Sequence, residues 1–113
     1  MRHSALLIKD QHLYVFFTNR GDEPERIMLS TISLKGDWSE WVASEPIEVL
    51  RPEKDYEGAT LPLKASRGGY IDERVHQLRD PAIYQEGDKT YLLYSVAGES
   101  GIAMAEIRFD ELN

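Results

Sequence analysis

The chain contains no cysteine, which excludes disulfides and thiolate metal sites. It has no apolar run approaching the roughly 18 residues that a membrane-crossing helix needs, and residues 1–9 are too short for a signal peptide. A soluble, cytoplasmic protein with no membrane partner is the default expectation. Positive charge is scarce as well: 13 basic against 20 acidic side chains give a net charge of -7. No Lys/Arg stripe could follow a phosphate backbone, so nucleic acid is not an expected partner. His3, His12 and His76 are the only histidines, and none has the spacing of a metal site. A Gly-rich phosphate loop and a Gly-x-Ser-x-Gly elbow are both missing. The expectation is no metal and no cofactor.

What the sequence does have is a repeat. Residues 3–18 lie without a gap on residues 80–95: Ala5 meets Ala82, Leu6 meets Ile83, Tyr14 meets Tyr91 and Phe17 meets Tyr94. After a slightly shorter loop in the second copy, residues 27–32 lie on residues 102–107. Each copy reads as three strands, the second aromatic-rich, with Asp10-Gln11 and Gly87-Asp88 at the hairpin turns. The first copy has a candidate fourth strand in Ile47–Leu50; the second reaches Asn113 without one. Hydrophobic residues make up 42% of the chain, enough for one modest core in a single domain.

The predicted organisation is therefore all-β: two antiparallel sheets of the kind that form propeller blades, over residues 3–50 and 79–108. Residues 51–78 join them. With Pro52, Gly58, Pro62, Gly68 and Gly69 they read as a long irregular connection, functional or pinned to another surface. Residues 109–112 are expected to make one helical turn at most.

The string Leu78-Arg79-Asp80-Pro81-Ala82-Ile83, with Tyr91-Leu92-Leu93-Tyr94 and Gly98-Glu99-Ser100-Gly101-Ile102 after it, resembles the blade pattern of the five-bladed β-propeller glycosidases, glycoside hydrolase families 43 and 32. Gly36-Asp37-Trp38 and Glu57-Gly58 are similar to segments near the C-terminal end of uncharacterised relatives. The resemblance covers nearly the whole chain and implies a C-terminal, two-blade fragment of such a propeller. In family 32 an Arg-Asp-Pro triplet supplies a carboxylate that stabilises the transition state, which this sequence matches at Arg79, Asp80 and Pro81. The family takes its remaining acids from other blades, and two blades leave no third to supply them.

Glycoside hydrolysis needs two carboxyl groups flanking the scissile bond, for which Asp80 and Glu99 are the candidates. Asp80 also reads as an acceptor of backbone hydrogen bonds at a strand entrance. Arg79 reads as the partner of Asp80 or of the neighbouring blade, and Glu99 as a solvated turn residue. His3, which the repeat places where Asp80 stands in the second copy, is a candidate for bonding a sugar hydroxyl. Trp38 and Trp41 are candidates for stacking on a sugar ring, or for anchoring a loop.

The expected function is a non-catalytic carbohydrate-binding or assembly protein derived from a glycosidase-type propeller. One alternative is a glycoside hydrolase whose site is assembled between subunits; another is a structural or interaction module with no small ligand. A homo-oligomer is expected in each case, because isolated blades leave apolar faces and strand edges uncovered.

Overall fold

The computed structural model describes residues 1–111; the end of the predicted turn, Leu112, lies outside them. The chain is all-β, with two antiparallel sheets. The first has the order β1-β2-β3-β4, from Arg2–Lys9, His12–Thr18, Ile27–Ser33 and Ile47–Leu50. The second has the order β5-β6-β7, from Arg79–Glu86, Lys89–Val96 and Gly101–Glu106. Both are simple meanders, because each pair of neighbours is joined by a local connection. Asp10 and Gln11 turn β1 into β2 with φ of 52° and 62°, the pair of left-handed residues that a tight hairpin matching strand twist requires. Between β5 and β6 Gly87 alone takes a positive φ, 63°.

Strand alternation sends one row of each sheet into a shared core. From the first sheet come Phe16, Ile27 and Leu29, and from the second Leu92, Tyr94 and Val96; Leu78 and Ile107 close the cluster. Phe16, Ile27, Leu29 and Leu92 are fully buried, each worth roughly 1.5–3 kcal/mol relative to exposure. The sheets meet along their first strands, β1 lying against β5. Three short 3-10 turns at Trp38–Glu40, Asp55–Glu57 and Phe109–Glu111 are the helical structure present among the described residues, and none crosses a membrane.

Residues 51–78 are irregular and firmly attached. Leu78 donates its N–H to Glu25 O (2.8 Å) and Ser66 to Asp22 O (3.1 Å), tying the connection to the β2–β3 loop. Ala97 N–H reaches Glu57 O (3.0 Å) and Gly98 N–H reaches Gln77 O (3.0 Å), tying it to the β6–β7 loop. Gly58 sits where these paths cross at φ 95°, and a Cβ there would come 2.4 Å from Val75 O. The connection thus seals one end of both sheets.

Candidate functional site

The two sheets carry matched irregularities at their matched ends. Pairing of β1 with β2 slips between Arg2 and Ala5, and pairing of β5 with β6 slips between Arg79 and Ala82. Within each slip one residue takes a left-handed backbone: His3 at φ 51° and Asp80 at φ 53°. For a residue with a Cβ this costs roughly 1–2 kcal/mol, and it persists where surrounding contacts over-determine it. The effect is to send neighbouring side chains apart, the arginine inward and the next residue outward.

Inward, Arg2 and Arg79 converge on one carboxylate. Glu25 is fully buried; Arg2 donates to it from Nε to Oε2 (2.9 Å) and from Nη2 to Oε1. Arg79 Nε stands 3.4 Å from Glu25 Oε1. Arg79 also donates to Gln77 Oε1 from Nε (3.1 Å) and Nη2 (2.6 Å), and from Nη1 to Gly69 O (3.2 Å). Its side chain is 2% exposed. The Arg2 guanidinium is held further above its ordinary range, chiefly by the Glu25 hydrogen bond against the opposing cost of burial. A second buried carboxylate lies close by in sequence to the connection's start. Glu57 accepts the N–H groups of Glu53 and Lys54, both at 3.0 Å, and the hydroxyl of Tyr94 at 2.8 Å. The Tyr94 phenol is pushed far above the usual tyrosine range, first by burial and then by that bond.

Outward, His3 and Asp80 meet. His3 Nδ1 is 3.1 Å from Asp80 Oδ1, with the side chains 33% and 39% exposed. Ser95, paired across the strand from Arg79, donates its hydroxyl to Asp80 Oδ2 at 3.0 Å. A carboxylate only accepts, so Nδ1 carries a proton and Nε2 faces away from Asp80. The result is a half-exposed Ser–Asp–His chain with carboxylate lone pairs and one imidazole nitrogen left free of these contacts.

Of the residues singled out by sequence, the structure thus brings His3 and Asp80 into contact. Arg79 stands beside them in the chain but points inward, paired with Glu25 of the neighbouring sheet rather than with Asp80. Glu99 is near enough for its charge, like that of Asp80, to act on Arg2, yet its Oε2 is taken up by the Ile71 N–H at 2.7 Å. Trp38 and Trp41 lie apart. They follow β3, whose first residues flank the His3 end of the sheet and whose last, Ser33, pairs with His12 at the far end. Trp38 is 74% exposed there. A cleft of about 520 Å³ is walled by Lys64, Arg67, Tyr70, Glu73, Gln77 and Arg79 among others, with His3, Asp80 and Glu99 outside its lining. Among the described residues no group of three or more His, Asp or Glu is placed to hold a metal ion.

Sequence reasoning did not single out Glu25 or Ser95, and it named Glu57 and Tyr94 only within blade-like segments, without their bond to each other. Ser95 had a signal in the repeat, since Thr18 holds its place in the first copy and uses its hydroxyl on Arg2 O at 3.3 Å.

The chain is 44% identical over 108 residues to an uncharacterised protein, R118, of Acanthamoeba polyphaga mimivirus. The alignment covers 95% of this chain and 30% of that protein, so the chain spans under a third of its relative's length. No family model and no solved structure matches it.

Proposed function

We propose that the chain is a non-catalytic carbohydrate-binding protein made of two propeller-like blades, derived from a glycosidase-type propeller and completed by association with further copies. The observation that supports this reading is the His3–Asp80–Ser95 chain. It stands where equivalent left-handed positions of the two sheets meet. A carboxylate beside an imidazole suits paired sugar hydroxyls, and hydrogen bonds to a charged acceptor contribute roughly 1.5–3 kcal/mol each. Binding is favoured over hydrolysis because the second candidate carboxylate, Glu99, is committed to a backbone amide and Arg79 to the interior. Arg79 then serves as a support that fixes the backbone of Asp80.

A glycan array followed by calorimetry tests this. Asp80→Ala is expected to weaken the best ligand about tenfold or more, the equivalent of roughly 1.4 kcal/mol. A broad screen yielding no glycan whose affinity responds to that change would sink the proposal and leave an assembly module without a ligand. The match of Arg79-Asp80-Pro81 to the family 32 triplet favours one other reading, a hydrolase site assembled between subunits. Turnover of aryl glycosides, abolished by Asp80→Asn, would establish that reading in its place.

A further inference from the structure

The cleft beside Arg79 has a buried polar floor and a basic rim. Gln77 and Arg79 both line it, and each residue is only 1% exposed. Arg79 Nε and Nη2 donate to Gln77 Oε1 at 3.1 and 2.6 Å. A guanidinium has donors and no acceptor, so the Gln77 carboxamide is fixed with its oxygen toward Arg79. Its nitrogen is thereby turned away, and Nε2 has no acceptor among the described residues. A buried donor without a partner is costly. Because Gln77 lines the cleft, a ligand seated there can accept that bond.

Positive charge gathers on the same side. The chain as a whole carries a net charge of -7, yet Lys64, Arg67 and Arg79 all line this cleft. Arg20 adds a fourth cation at its edge. A Cβ on Gly68, another lining residue, would stand 3.1 Å from Arg20 Cζ and 3.3 Å from its Nε and Nη1, so that guanidinium lies against the glycine. Arg20 and Arg67 are exposed, and neither forms an ion pair among the described residues. The nearby carboxylates are engaged elsewhere. Glu73 holds Lys64 Nζ at 3.1 Å, and Glu99 Oε2 accepts the Ile71 N–H at 2.7 Å. Behind the floor, the single carboxylate of Glu25 is shared by Arg79 and Arg2.

We infer that this cleft binds an oxyanion, a carboxylate or phosphate group carried by a molecule of about the size of a sugar. Such a group accepts several N–H bonds at once and matches the fork of an arginine. A volume of about 520 Å³ is that of an ordinary small-ligand site. Gln77 Nε2 supplies a donor of fixed direction at the floor, and Arg67 and Arg20 supply charge from the rim. Tyr70, 84% exposed, offers its ring to the body of the ligand. Neither His3 nor Asp80 lines the cleft, and the inference depends on neither the blade reading nor the carbohydrate reading.

Calorimetry and amide NMR of the whole chain test this, with inorganic phosphate and glucuronate as the anions and glucose as the uncharged control. At least one anion is expected to bind with a Kd of about 1 mM or tighter, to shift the amide signals of Gly68, Gly69 and Tyr70, and to bind more weakly as salt is added. Which of the two binds tighter tells a phosphate ligand from a carboxylate one. Arg67→Ala should weaken binding about tenfold. Gln77→Glu keeps the oxygen that Arg79 needs and replaces the free amide by a second acceptor, so it should abolish binding. Circular dichroism reports whether that buried variant folds; Arg20→Ala, at an exposed position, should weaken binding whether or not it does. Absence of binding by both anions overturns the inference, as does binding that Arg67→Ala and Arg20→Ala leave unchanged, or shifts centred away from the cleft. Glucose binding as tightly as glucuronate overturns it too, since the cleft would then not be reading charge.

Discussion

Arg2 and Arg79 are each followed by a residue of the opposite fate, and the contrast separates what holds this fold from what it leaves half-exposed. The arginines and Glu25 form a buried cluster in which the polar groups find partners inside the molecule. One residue later His3 and Asp80 form a half-exposed contact that leaves lone pairs to spare. The left-handed turn within each bulge is what divides them. Ion pairs out of water are costly to break one partner at a time, whereas half-exposed ones contribute little to stability. The inner cluster should therefore govern folding, and the outer one contribute little to it.

The hardest blow to that division is Glu25→Ala. It removes the carboxylate shared by two guanidinium groups, Arg79 deeply buried and Arg2 nearly so, and is expected to lose about 3–5 kcal/mol in urea unfolding. Asp80→Ala should lose less than about 1 kcal/mol in the same experiment. Equal losses would mean that the outer contact is as structural as the inner.

Tyr94→Phe sharpens the comparison on the second buried carboxylate. It removes the donor to Glu57 Oε2 and is expected to cost about 1–3 kcal/mol. The phenol's folded pKa is raised, so its contribution is fully present below the ordinary tyrosine value near 10 and is lost as pH rises toward the folded one. Alkaline unfolding above about pH 10 should therefore be steeper in the wild type than in Tyr94→Phe, followed by far-ultraviolet circular dichroism.

Much of the architecture was legible because it is local and repeated. Alternation, hairpin turns and the two-copy alignment indicated seven strands, including Ile47–Leu50, and the same alignment set His3 against Asp80. The burial of Glu25 and Glu57 was not legible. Glutamate is almost never fully buried unless paired, and the partners here are far off in the chain: Arg79 for Glu25, Tyr94 for Glu57. Both glutamates sit in loops whose composition signals only irregular backbone. The direction of Arg79 was likewise hidden, because an Arg-Asp dipeptide at a strand entrance invites a local ion pair, and only the bulge at residue 80 turns the two side chains apart.

That bulge can be tested by the smallest of the expected effects. At φ 53° a Cβ is penalised and glycine is not, so Asp80→Gly should be more stable than Asp80→Ala by about 1 kcal/mol, after the extra freedom glycine gives the unfolded chain is subtracted. The two variants lose the same contacts to His3 and Ser95, so their difference isolates the backbone term. His3→Gly against His3→Ala should show the same sign, since φ is 51° there. Ala82→Gly, two residues on in ordinary strand pairing, should go the other way and destabilise by roughly 0.5–1 kcal/mol. Chemical denaturation resolves differences of this size when the slopes agree. If glycine were unfavourable at residues 3 and 80 as well, the left-handed turns would not be what sets arginine and its neighbour on opposite sides, and the division between inner and outer clusters would need another cause.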